Sequence, residues 1–200
     1  MMNMDFQYQH LIHRLKTRFS GASCGIFTNH SSFSWHGKKY LVSQIGKLLR
    51  LEKVFIPEHG FFAELQDQVP VTRADHYDFL ETGAEICSLY PGEGSMLESS
   101  LNQMGELDLL IIDLQETGAR YFTYVTMIAM IFEILKERKL SILLVDRPNP
   151  AGRMVEGTLL PAAYTSMIGW KGLPHRYGLT IGELAFFLKD QVRGQFELEV

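Results

Sequence analysis

Short apolar runs alternate along this chain with stretches in which apolar residues recur every three or four positions, the signature of strands alternating with helices. Apolar runs over residues 22–28, 53–56, 84–89, 109–112 and 140–145 predict strands, and residues 196–200 read as the start of another. Helical spacing covers residues 11–19, 40–51, 96–104, 121–136 and 181–191, the first of these as a surface helix within an N-terminal stretch, residues 1–20, that reads as an amphipathic helix. Thr180 with Glu183 has the spacing of a capping box for the last helix. The stretch LDLLIIDLQETGARYFTY at residues 107–124 condenses the pattern. Leu109–Ile112 is apolar without a break, as in a strand buried on both faces of a parallel sheet. It ends on Asp113, a polar turn follows, and helical spacing resumes past Gly118. Strand, turn and helix make half of a βαβ unit. The predicted fold class is α/β: a Rossmann-like, doubly wound, mostly parallel sheet with helices on both faces, over one domain spanning residues 1–200.

In such sheets ligands bind outside the carboxyl ends of the strands. Four predicted strand ends carry polar sets: Asn29/His30, Glu58/His59, Asp113/Gln115 and Asp146/Arg147/Asn149. In register along one sheet edge they would line a cleft for a hydroxyl-rich ligand, with Phe61, Tyr121, Tyr124 or Trp170 stacking on its apolar ring faces. Glu58, flanked by Pro57, Gly60, Phe61 and Phe62, is the first choice for proton transfer, because partial desolvation raises a carboxyl pKa. The competing structural role is a cap on the following turn. His59 orients Glu58, binds substrate or satisfies the turn. Asp113 and Asp146 are candidates for a second carboxylate. Asp113 with Arg120 equally reads as a salt-bridged pair at a helix start, and Asn149 as a brace of the Pro-Asn-Pro turn. Arg120 and Arg147 suit bidentate recognition of a carboxylate. His175 and Arg176, beside Tyr177-Gly178, either close the cleft or are surface charge. Residues 63–82, polar and irregular, read as a mobile loop over a site.

Composition narrows the chemistry. The chain has 200 residues and a formal net charge of −4, with no Lys/Arg run, which argues against a nucleic-acid partner. Its two cysteines, Cys24 and Cys87, lie inside apolar runs without CxxC spacing and read as buried free thiols. No apolar run approaches bilayer length and no secretory leader is evident, so a soluble cytoplasmic protein is expected. The P-loop, the GxGxxG fingerprint, the GxSxG elbow and HExxH are all missing, so no cofactor or metal is expected. A divalent ion on Glu58, Asp113 and Asp146 is left open by spacing alone.

The ordered motifs NHS at Asn29, PEHGF at Pro57, DLQETGARYFTY at Asp113, DRPNPAG at Asp146, EGTLL at Glu156 and HRYGLTIGELA at His175 resemble the exo-β-N-acetylmuramidase family, catalogued as DUF1343. The resemblance runs from about Gly25 to the end of the chain. It implies a glycoside hydrolase that releases N-acetylmuramic acid from the non-reducing ends of peptidoglycan fragments in cell-wall turnover. It implies a Rossmann-like N-terminal domain joined to a smaller C-terminal domain, which this chain stops short of. By the same resemblance Glu58 is the favoured catalytic residue, with His59 beside it, and Asp113 joins them as a candidate second carboxylate. Asn29, Gln115, Arg120, Tyr121, Tyr124, Asp146, Arg147, Asn149, His175 and Arg176 are the expected substrate-binding set. Muramyl saccharides or muropeptides are the implied partners. Retaining, inverting and substrate-assisted routes all stay open. A non-catalytic carbohydrate-binding or sensing domain is the alternative, and a metal-dependent phosphoesterase a more distant one.

Overall fold

A computed structural model of the chain describes residues 4–35, 37–64, 77–89, 102–104 and 106–200. It divides into two compact units, Met1–Asp113 and Leu114–Val200.

The first unit runs α1 (Met4–Arg18), β1 (Ser23–Thr28), β2 (Phe33–Ser34), β3 (Lys39–Tyr40), α2 (Leu41–Ile45), β4 (Arg50–Ile56), β5 (Glu85–Ser88) and β6 (Leu109–Asp113). Its main sheet is ordered β5-β4-β1-β6, and every pairing is parallel. The chain therefore steps outward from β1 through β4 to β5, then returns to lay β6 on the other side of β1. Right-handed crossovers place connections made in opposite directions on opposite faces of a sheet. The expected α/β, Rossmann-like class is what the chain adopts. Every residue of β1 and of β6 is buried, which is why both read as unbroken apolar runs. Gly25 is needed for close packing: a Cβ there would lie 2.5 Å from Leu107 and 3.0 Å from Phe55.

Two predicted helices differ from the structure. The first is longer than residues 11–19, and it is no mere surface helix: Tyr8, Leu11 and Leu15 face inward at helical spacing. The helix predicted over residues 40–51 is only Leu41–Ile45. Tyr40 pairs with Phe33 in a small antiparallel hairpin, and Arg50 and Leu51 pair with Ser23 and Cys24 of β1. Strand pairing outcompetes helix propensity at both ends, with the small hairpin at Tyr40 and with the buried β1 at Arg50 and Leu51. The loop predicted over residues 63–82 lies mostly outside the described residues, as does the helix predicted over 96–104, except for residues 102–104. Cys24 and Cys87 are buried free thiols, and burial foremost, with Glu52 nearby, pushes Cys24 up to about 12.

The second unit runs α3 (Thr123–Leu135), β7 (Ser141–Leu144), α4 (Ile181–Val192) and β8 (Glu197–Glu199). β7 and β8 are parallel, with Ile142 opposite Leu198, so the segment between them, α4 included, is a crossover connection. Ile128, Phe132 and Leu135 of α3 and Leu184 and Leu188 of α4 are fully buried, and the rings of Phe132 and Phe196 meet at 4.8 Å. The capping box is present: Thr180 Oγ1 accepts from the Glu183 N–H, and the Glu183 carboxylate accepts from the Thr180 N–H. No helix among the described residues is long and apolar enough to cross a membrane.

Candidate functional site

In the first unit the sheet order puts the carboxyl ends of β4, β1 and β6 side by side. Thr28 at the end of β1 is level with Asp113 at the end of β6, and Phe27 with Phe55, one residue before the end of β4. One residue beyond β1 stands Asn29, and two beyond β4 stands Glu58. Asn29, Glu58 and Asp113 thus share one sheet edge, at the point where the chain reverses its direction across the sheet. Such a reversal leaves a crevice that α/β folds use for ligands.

All three are buried, Glu58 to 8% exposure, Asn29 to 2% and Asp113 to 0%. The Tyr8 hydroxyl donates to Asp113 Oδ2 at 3.3 Å, so α1 reaches this edge. Asn29 Oδ1 accepts from the Ser31 N–H at 3.0 Å and the Ser31 hydroxyl at 2.6 Å, capping the short 3-10 turn His30–Ser32. The exposed His30 is tied to the Glu58 turn: its N–H donates to the Phe61 carbonyl at 2.8 Å, with Nδ1 3.2 Å from the same oxygen. After Pro57 the Gly60 N–H bonds back to the Pro57 carbonyl at 3.3 Å. Glu58 and His59 are the central residues of that turn, and His59 (φ 72°) takes the left-handed conformation. A non-glycine residue there stores about 1 kcal/mol of backbone strain. Of the aromatic groups predicted to stack, Phe61 is fully buried and presents no open face.

The second unit holds its polar residues in a knot of interlocked turns after Leu114. Gln115 Nε2 donates to the Glu116 and Pro148 carbonyls at 2.8 and 3.3 Å. Asn149 braces two segments, donating to the Leu179 carbonyl and accepting from the Ala151 N–H, both at 2.8 Å. Gly118 (φ +90°) lies so close that a Cβ would fall 2.1 Å from Asn149 Oδ1. Asp146 Oδ1 accepts from the Gly182 N–H at 2.8 Å, which puts a carboxylate on the first turn of α4. Arg120 Nη1 donates to the Thr158 and Leu173 carbonyls, both at 2.7 Å. Arg176 pairs with Glu156 at 2.9 Å and donates to the Ala151 carbonyl. Arg147 is 3% exposed, Tyr124 is half-buried, and His175 and Tyr121 are exposed. Trp170, also predicted to stack, is buried instead, with its indole N–H on Gln191 Oε1 at 2.9 Å.

The residue missed from the sequence is Glu116. It is 3% exposed, and its Oε2 accepts from the Tyr177 hydroxyl at 3.0 Å and the Thr117 N–H at 3.1 Å. Oε1 is buried and has no hydrogen-bond partner among the described residues. Burial outweighs those donors and raises this carboxyl to about 7, while burial foremost lifts the Tyr177 hydroxyl above its ordinary range, so Tyr177 stays a donor. Nothing local in GluThrGly marks Glu116 apart from a solvated turn residue. Its environment is made by Tyr177, 61 residues away. Among the described residues no group of three His, Cys, Asp or Glu side chains is placed to hold a metal ion.

The sequence model of the family described as exo-beta-N-acetylmuramidase NamZ, N-terminal, matches residues 24–200. The chain belongs to this family. It is 31% identical over 189 residues to the peptidoglycan beta-N-acetylmuramidase NamZ of Bacillus subtilis (strain 168), a match covering 92% of this chain and 44% of that protein. This chain thus spans less than half the length of that curated NamZ relative. Two solved DUF1343 family structures from Bacteroides fragilis NCTC 9343 share the fold. One has a TM-score of 0.74 at 24% identity, covering 95% of this chain and 47% of the other. The second has a TM-score of 0.70 at 28% identity, covering 94% and 50%. Within the NamZ frame, Asn29, the Glu58-His59 turn and Asp113 fall at the switch-point edge of the first unit, and the motifs from Gln115 to Arg176 build the second.

Proposed function

We propose that this chain is the Rossmann-like catalytic portion of an exo-acting β-N-acetylmuramidase, which releases N-acetylmuramic acid from non-reducing ends of peptidoglycan fragments during cell-wall turnover. The observation that carries the reading is Glu58. A NamZ-family chain holds a buried carboxyl group on a turn at the sheet's switch point, flanked along the same edge by Asn29 and Asp113. Glycoside hydrolysis needs a carboxylic acid to protonate the departing glycosidic oxygen, and a sparsely solvated Glu suits that task. Glu58 takes this role. His59 is its neighbour for orientation or substrate contact, and Asp113 is the second carboxylate. Acting as base, nucleophile or support for the substrate's acetamido group, Asp113 would give the inverting, retaining or substrate-assisted outcome respectively.

Asn29, Gln115, Tyr121, Tyr124, Asp146, Asn149 and His175 are assigned to the hydroxyl and acetamido groups of the sugar. The lactyl carboxylate that marks a muramyl residue is assigned to Arg120, Arg147 or Arg176, since guanidinium groups read carboxylates by paired N–H donors.

The experiment is hydrolysis of a chromogenic β-N-acetylmuramide beside its β-glucosaminide counterpart, with wild type and Glu58→Gln. Turnover of the muramide alone, reduced by at least about 100-fold in Glu58→Gln, is the expected result. Equal turnover by Glu58→Gln removes the acid assignment. The second reading is a non-catalytic carbohydrate-binding or sensing domain. Saccharide binding without turnover by the folded chain would decide for it.

A further inference from the structure

The first unit exposes an aromatic side chain that no role given so far explains. Trp35, at the tip of the β2–β3 hairpin, is 83% exposed, although tryptophan is among the side chains most buried on average. It is not an isolated surface residue. Its ring meets Phe33 at 5.1 Å, Phe33 meets Tyr40 at 5.0 Å, and Tyr40 meets Phe61 at 4.9 Å, all edge to face. Phe61 in turn meets Phe62 at 5.2 Å, and Phe62 is 46% exposed. Phe62 also meets Tyr40 at 6.3 Å, so over the buried Phe61 the rings that reach solvent run from Phe62, four residues after Glu58, through the half-buried Tyr40 and Phe33 to the open indole. Edge-to-face contacts fix ring planes, so the hairpin presents Trp35 on a rigid base rather than on a loose loop. An exposed apolar surface continuous with a polar site marks a ligand surface. The ligand face that suits an open indole, next to carboxyl and amide groups that suit hydroxyls, is the C–H face of a pyranose.

We propose that Trp35, with Phe62, is a stacking platform for the sugar on the leaving-group side of the scissile bond. This rests on the exo-hydrolase reading above. An enzyme that removes the terminal sugar must let the rest of the saccharide extend away from Glu58, and the aromatic ladder supplies an apolar surface beside the Glu58 turn. The platform makes affinity grow with saccharide length.

The test uses the chain's own fluorescence. There are two tryptophans, and Trp170 is 8% exposed while Trp35 is open, so a ligand-induced shift of solvent-exposed emission reports Trp35. In a Glu58→Gln background, which prevents turnover, methyl β-N-acetylmuramide, the β-1,4-linked muramyl-glucosaminyl disaccharide and chitotriose are titrated separately. The expected result is a blue shift with the two longer saccharides and none with the monosaccharide. Trp35→Ala should weaken disaccharide binding by about tenfold, a factor corresponding to 1.4 kcal/mol, and Trp35→Phe should recover most of it. Disaccharide binding by Trp35→Ala equal to its parent, or unmoved emission at saturation, overturns the platform. So does failure of every saccharide to bind. A Trp35 emission that shifts with protein concentration and ignores saccharide overturns it as well, making the hairpin a contact between copies. If wild type hydrolyses no muramide while chitotriose still shifts Trp35, Trp35 remains a sugar-stacking surface, and its assignment to the leaving-group side falls with the hydrolase reading.

Discussion

Glu116→Gln is the substitution whose effect the structure defines most closely. The carboxyl is 3% exposed, and its titration is raised from 4.5 to about 7, with burial the largest cause. The folded state therefore binds this proton more tightly than the unfolded chain does. Well below pH 4.5 the group is protonated in both states and contributes no pH-dependent cost. As pH rises towards 7 the unfolded chain releases the proton while the folded chain keeps it, and stability falls. Above about 7 both are ionised, and the loss levels off on the order of 3 kcal/mol, at 1.36 kcal/mol per pH unit of displacement. Glutamine imitates the neutral acid: its oxygen can still accept from Tyr177 and the Thr117 N–H, and it cannot ionise. Urea denaturation of wild type and Glu116→Gln, followed by circular dichroism between about pH 4.5 and pH 8, isolates this group because every other titration is common to both proteins. The two should have similar stability at the acid end. Glu116→Gln should be more stable by on the order of 3 kcal/mol at the alkaline end. Parallel stability profiles would refute the argument, since they would mean that Glu116 stays solvated or already ionised in the folded chain.

Gly118→Ala should destabilise the second unit by about 3 kcal/mol in the same urea assay, because it forces a Cβ against Asn149 Oδ1 at positive φ. Unchanged stability would mean that the knot of turns yields freely. Thr180→Ala removes the hydroxyl of the capping box and should cost about 1 kcal/mol, read as a lower melting temperature. His59→Gly relieves the left-handed strain and should raise stability by about 1 kcal/mol, while hydrolysis of the chromogenic muramide falls. A variant that melts lower would show that the His59 side chain contributes more than its backbone costs.

The Glu58 turn was legible because a proline, a glycine and two aromatics surround a carboxylate directly after an apolar strand, a local arrangement with few alternatives. Glu116 was not, because its desolvation is imposed by Tyr177 and by turns that close over it from distant sequence. The same contrast separates the aromatic residues. Phe61 and Trp170 were expected to stack on a ligand and are buried, whereas Trp35, from a hairpin the hydrophobic pattern does not show, is open. Exposure of a ring is decided by what packs on it, and the periodicity of neighbours along the chain says nothing about that.

Local chemistry alone determined the alternation of strands and helices, the fully buried β1 and β6, the capping box at Thr180 and the polar strand ends. Each is written in contiguous residues through periodicity, side-chain volume and hydrogen-bonding type. Only the tertiary structure decided that β1 lies between β4 and β6, bringing Thr28 level with Asp113 and Asn29 one residue beyond it at a switch point, that Tyr8 of α1 reaches Asp113, and that residues 50 and 51 join the sheet rather than a helix. These depend on pairings between segments tens of residues apart. Burial and hydrogen bonds gained across such distances exceed the few tenths of a kcal/mol per residue by which local preference distinguishes one conformation from another.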